Sequence, residues 1–121
     1  PTTDPHAGTP TIGTPNGANN VASVAFLSNS AKTDRAMRIR VTAGAGNIVA
    51  GTDIVSITFA SEWKDALGTP VTPAIICSQG AYASASSSTG FTIQLGTGIP
   101  TTQVQDFSII VSGGGSGNSN S

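Results

Sequence analysis

From Met37 to Val41 apolar and polar residues alternate without a break: Met37, Ile39 and Val41 fall on one side, Arg38, Arg40 and Thr42 on the other. A period of two is the signature of a strand with one buried face. The same alternation recurs from Asp53 to Ala60 through Val55, Ile57 and Phe59. It returns from Gly90 to Leu95 through Phe91, Ile93 and Leu95, and from Val104 to Ser112 through Phe107, Ile109 and Val111. Weaker versions run from Val21 to Leu27, from Ala74 to Cys77 and from Tyr82 to Ser86. The expected core is Met37, Ile39, Val41, Val55, Ile57, Phe59, Ile76, Phe91, Ile93, Phe107, Ile109 and Val111. Ile54 and Ile110 stand on the opposite faces of their strands and call for a second layer or a second subunit.

Between these segments lie turn residues. Gly44 to Asn47, Ser88 to Gly90 and Gly96 to Pro100 are read as tight turns with positive φ. Glu62 to Leu67 is the one helix-like piece, held to a single turn by Pro70 and Pro73. No connection is long enough for a helical crossover, so pairing is antiparallel. The pattern predicts an all-β protein, a single antiparallel β-sandwich of jelly-roll-like or Ig-like form. Residues 1–20 contain four prolines and read as an extended N-terminal arm, residues 21–112 as the sandwich, and residues 113–121, all Gly, Ser and Asn, as a flexible or partner-bound C-terminal tail. A start at Pro1 is compatible with removal of an initiator methionine.

Composition narrows the function classes. Only 9% of the residues are charged and the net charge is −1, against a usual charged share of about 25%. Low charge gives little repulsion between copies and suits a chain whose faces are covered by neighbours. There is no basic excess for nucleic acid and no apolar run near the roughly 20 residues of a membrane helix, and the Pro-Thr-Thr-Asp-Pro-His start leads to the expectation of no signal peptide. One cysteine, Cys77, excludes an intrachain disulfide and fits synthesis in a reducing cytoplasm.

Candidate chemistry is thin. His6 is the single histidine, in the proline-rich arm, and reads as a surface or contact residue. A serine nucleophile needs a base held beside it, and the arm offers no such placement. Cys77 and His6 cannot supply four zinc ligands, and no D-x-D-x-D-G run suggests calcium. Glu62 and Asp65 read as capping or ion-pairing residues of one loop rather than a glycosidase pair. Cys77 reads as a small hydrophobe. No cofactor and no enzymatic activity are expected. Four of the five cations, Lys32, Arg35, Arg38 and Arg40, fall within nine residues. They read as a solvated face or as a contact that pairs with a neighbour's acids. Trp63, a lone tryptophan in a loop, is open to three roles: an interface anchor, a sugar-stacking platform, or a core residue. The candidate interface is therefore Arg35, Arg38, Arg40, Trp63 and Ile110.

The order of segments carries one resemblance. Met37-Arg-Ile-Arg-Val-Thr-Ala-Gly44 comes first, then Ala50-Gly-Thr-Asp-Ile-Val-Ser-Ile-Thr-Phe-Ala60 and Pro73-Ala-Ile-Ile76. Ser86-Ser-Ser-Thr-Gly-Phe-Thr-Ile93 and Asp106-Phe-Ser-Ile-Ile-Val111 complete the series. This resembles small β-sandwich domains of tailed-phage virion structural proteins, of head-fibre, capsid-decoration or tail-fibre-knob type, over roughly residues 8 to 113. The closing strand departs from that pattern, with Ile109 where an aromatic often stands. The resemblance implies a homotrimer and brings no catalytic residues. It leads to the expectation of a capsid decoration, or cement, protein on the virion surface. Such a protein binds the major capsid protein as a trimer, stabilises the shell, and is made in the host cytoplasm. The alternative is a receptor-binding or glycan-binding knob that recognises a host surface glycan.

Overall fold

Each of the four clearly alternating segments forms a strand whose apolar side turns inward, because only then do its aliphatic side chains leave water; each fully buried Val, Leu, Ile or Phe contributes about 1.5–3 kcal/mol. In the computed structural model, residues 5–28, 32–78 and 80–113 are described. They form β1 (Thr11–Ile12), β2 (Val21–Phe26), β3 (Ala36–Ala43), β4 (Asp53–Thr58), β5 (Ala74–Cys77), β6 (Ala81–Ser86), β7 (Gly90–Leu95) and β8 (Val104–Ser112). One four-stranded sheet has the order β1-β4-β7-β6, the other β2-β3-β8-β5. All pairings are antiparallel. Only β2–β3 and β6–β7 join neighbours within a sheet. Every other connection passes from one sheet to the other. The inner faces meet in one aliphatic core, to which β3 gives Met37, Ile39 and Val41, β7 gives Phe91, Ile93 and Leu95, and β8 gives Phe107, Ile109 and Val111. The fold is the expected all-β sandwich.

Several residues depart from the alternation. Ile76 was expected inside but is 62% exposed. In the run Ala74-Ile-Ile-Cys77 both isoleucines could face the core; pairing with β8 sets the phase, with Ile75 opposite Val111 and Ile76 opposite Ile110. Ile54 goes the other way and is fully buried. The register of β4 against β7 shifts between Asp53 and Val55, a bulge that turns Ile54 and Val55 inward together. The turn glycines also act differently from expectation. Positive φ falls at Gly51, Gly68 and Gly80 instead. Gly90 is needed because a Cβ there would collide with the Ile57 carbonyl.

The helix-like piece is a turn. Asp65 accepts the N–H groups of Leu67 and Thr69 (2.9 Å each), and Gly68 closes it at φ +85. These bonds satisfy the backbone locally and compete with a helix. Residues 5–20 lie on their own domain rather than reaching away from it. They contribute two short 3-10 turns (Pro5–Ala7 and Gly17–Asn19) and edge strand β1. They also place His6 and Asn19 in buried positions. Of the expected tail, residues 113–121, all but Gly113 lie outside the described residues.

Candidate functional site

The outer face of the β2-β3-β8-β5 sheet is the most distinctive surface. On β3, Ala36, Arg38, Arg40 and Thr42 point outward between the buried Met37, Ile39, Val41 and Ala43. On β8 the outward set is Val104, Asp106, Ser108 and Ile110. Cross-strand register turns these into rows: Ala36 beside Ile110, Arg38 beside Ser108, Arg40 beside Asp106, Thr42 beside Val104. β5 extends the first row by setting Ile76 beside Ile110. One end of the face is thus aliphatic, with Ile110 49% and Ile76 62% exposed.

The middle of the face is charged and internally paired. Arg40 donates from Nε and Nη2 to the two oxygens of Asp106, at 2.8 and 3.1 Å. This fork geometry suits a carboxylate. The hydrogen bond from Arg40, with its charge, holds the Asp106 carboxyl below the usual aspartate range, and Asp106 in turn raises the Arg40 guanidinium. Arg38 donates from Nε to Ser108 Oγ at 3.1 Å.

A second cluster lies inside. His6 is 1% and Asp34 0% exposed, and Nδ1 of His6 stands 3.2 Å from Oδ2 of Asp34. Asp34 also accepts the backbone N–H of Ala60 (2.7 Å) and of Ser61 (3.0 Å), while its own N–H bonds to the carbonyls of His6 and Gly8. The His6 ring stacks on Trp63, with centroids 3.6 Å apart and planes 6° from parallel. Phe59 meets the indole edge-on. The Arg35 guanidinium lies over it at 5.3 Å. Trp63 Nε1 is buried without a hydrogen-bond partner among the described residues. An imidazole oriented by a carboxylate has the parts of a general-base pair. Here neither group is exposed to a substrate in solution. The geometry instead fastens the N-terminal segment, the Asp34 loop and the segment after β4 to one another.

The outer face of the β1-β4-β7-β6 sheet is polar. Tyr82, 41% exposed, donates its hydroxyl to Gln94 Oε1 (2.9 Å), and Gln94 Nε2 donates to Asp53 Oδ1 (2.8 Å). Ser56 and Thr92 share a 2.8 Å hydrogen bond across β4 and β7. Beside them is a shallow hollow of about 270 Å³ lined in part by Ser56, Ser86, Thr89 and Thr92.

The predicted interface residues divide accordingly. Arg38, Arg40 and Ile110 share the outer face of one sheet. Arg35 lies at its margin, over the indole. Trp63, 2% exposed, belongs to the core, one of the roles the sequence left open, and so is neither an interface anchor nor a sugar platform. His6, expected at the surface, is buried because Asp34 and Trp63, distant in sequence, enclose it. Glu62 accepts a hydrogen bond from Ser88 Oγ at 2.7 Å and Asp65 caps its turn, so the two carboxylates are separately engaged. Burial pushes the Cys77 thiol up to about 11, leaving it a neutral, weakly reactive group. Among the described residues no cluster of three or more His, Cys, Asp or Glu could hold a metal ion, and no helix is long and apolar enough to cross a membrane. Ile76 was missed as a surface residue because a doubled isoleucine carries no phase. Comparisons with protein-family models, with curated proteins and with solved structures gave no match.

Proposed function

We propose that this chain is a non-enzymatic structural protein of a tailed-phage virion, a capsid decoration subunit that braces the shell through the outer face of the β2-β3-β8-β5 sheet. The observation that carries the contact role is the exposed Ile76–Ile110 row on the same face as the fork-paired Arg40 and Asp106, with the Arg38–Ser108 row between them. Aliphatic side chains at the rim of a charged patch form the apolar part of a docking surface, and the charged groups further along the face set its orientation. The low charge of the whole chain supports coverage by neighbours. Assignment to a virion rests on the resemblance in the order of the strand motifs. The major capsid protein and further copies of this chain are the partners this reading names.

A second reading has its own observation in favour. Tyr82, Gln94 and Asp53 form an exposed aromatic–amide–carboxylate chain on the opposite face, the kind of neutral polar surface that a glycan-binding knob presents. Immunogold labelling of purified virions tests both readings. Label over the capsid supports decoration and label at fibre tips supports the knob. Absence of the protein from particles, by mass spectrometry, refutes both.

A further inference from the structure

The four sheet edges of the sandwich differ in how they are protected against strand pairing. An exposed edge offers unpaired N–H and C=O groups to any extended chain, and short strands or bulges blunt it. β1 is two residues long. β2 carries a register irregularity between Val21 and Ser23, and β6 another between Ala83 and Ala85. β5 pairs with β8 in unbroken register and, among the described residues, has no strand on its other side. Two of its four residues, Ile75 and Ile76, are strongly β-forming, and the thiol of Cys77 is neutral near pH 7. Within β5 itself no formal charge guards this edge.

The hydrogen-bond phase of β5 follows from β8. Ser78 N–H donates to the Ser108 carbonyl and Ser108 N–H donates to Ser78 Oγ, so Ser108 faces β5. Val111 N–H donates instead to the Arg35 carbonyl on the β3 side. Alternation along β8 then assigns Ile110 and Ser112 to β5, bonded to Ile76 and Ala74. The backbone groups of Ile75 and Cys77 are left pointing to the open edge.

We infer that β5 is a self-complementary edge that pairs antiparallel with β5 of a second copy of this chain about a two-fold axis at Ile76. In that register Ile75 faces Cys77 of the second copy, and the reverse. Both residues carry outward backbone groups, so each N–H meets a C=O. Ile76 faces Ile76 of the second copy as a non-hydrogen-bonded pair, the closer kind, with side chains together on the outer face. The exposed row Ala36–Ile110–Ile76 then continues into its own copy, and two four-stranded sheets become one. Pro73 stops the ladder, since it has no N–H to give. The arrangement is isologous and closes on two copies, where the resemblance to phage proteins implies three. It stands apart from the virion role, and a chain that stays monomeric yet labels capsids would remove this pairing alone.

Sedimentation equilibrium of the purified chain from micromolar to millimolar concentration reads the pairing directly. The mass is expected to rise from 12.0 kDa toward twice that value. Ile76→Lys sets two ammonium groups opposite each other and is expected to remain at 12.0 kDa with an unchanged circular dichroism spectrum. A second variant does not depend on disrupting anything. With Ile76→Cys in a Cys77→Ser background, paired Cα atoms at about 4.5 Å fall within the disulfide range of about 4.4–6.8 Å. Mild oxidation is then expected to give a covalent dimer. Cys77 in the unaltered chain, opposite Ile75, is expected not to link. A mass of 12.0 kDa at every concentration, a threefold mass, a dimer that survives Ile76→Lys, or failure of the Ile76→Cys variant to cross-link overturns the inference.

Discussion

Around Trp63 the protein buries an imidazole, a carboxylate and an indole; on the outer face of the β2-β3-β8-β5 sheet it leaves Ile76 and Ile110 in the open. The titratable pair of the first region is enclosed, and the aliphatic row of the second is presented. The two regions differ in what their side chains gain from their surroundings. His6, Asp34 and Trp63 make internal contacts over sequence separations of about thirty residues and more, and so tie distant loops together. Ile76 and Ile110 are held by strand pairing, with each other and with Ala36, yet about half of each side chain stays in the open, where only another molecule can cover it. Substitutions should therefore separate cleanly, costing stability in the first region and association in the second.

The largest effects are expected in the enclosed cluster. Trp63→Ala empties the space against His6, Phe59 and Gly113, at about 3–5 kcal/mol for a large aromatic removed from a core. Asp34→Ala strands the N–H groups of Ala60 and Ser61 and removes a buried contact of His6, at about 2–5 kcal/mol. Asp34→Asn keeps acceptor oxygen in place and should cost less. Urea unfolding checks all three. Equal stability of Asp34→Ala and the parent chain would break the contrast between the regions.

Next in size is Ile110→Lys. Its side chain stands on the outer face, so folding stability should change by no more than about 0.5 kcal/mol, while self-association and capsid attachment are lost. Ser56→Lys on the opposite sheet, also exposed, is the matched control and should leave association intact. Loss of association in both variants would mean that added charge, not the aliphatic row, is responsible. Tyr82→Ala sharpens the comparison further. It should leave association unchanged, and only the glycan-binding reading predicts a lost ligand on a glycan array.

The expected effect is smallest at the Arg40–Asp106 pair, which is largely solvated and so screened. Asp106 has its carboxyl pK lowered by Arg40, so its contribution is complete above the ordinary aspartate pK of about 3.9 and fades as pH falls through the lower folded value. Asp106→Asn should therefore be slightly less stable than the parent near neutrality. The two should converge in acid well below pH 4. A difference that grows on acidification would contradict this assignment.

Much of this was legible in the sequence, for one physical reason. Strands with one wet and one dry face write their phase into the residue pattern, so Met37 to Val41 and Phe107 to Val111 could be oriented directly. Ile110 stood out as an apolar residue on a wet face and is found exposed. Ile76 was illegible because its neighbour Ile75 is equally apolar, and only pairing with β8 chooses between them. Ile54 was hidden by a bulge, which shifts the phase without any proline or glycine to mark it. The His6–Asp34–Trp63 cluster left no local signal at all. Its members are joined by tertiary contacts alone, and a proline-rich segment gives no sign that it folds back onto its own domain.

Isoleucine methyl resonances followed by NMR through a dilution series test the central claim most directly, because each region reports through its own residue. The account predicts concentration-dependent shifts for Ile76 and Ile110, with Ile39, Ile57 and Ile93 of the core unchanged. Shifts absent from Ile76 and Ile110 across the range, or confined to residues around Tyr82 on the opposite sheet, would contradict it.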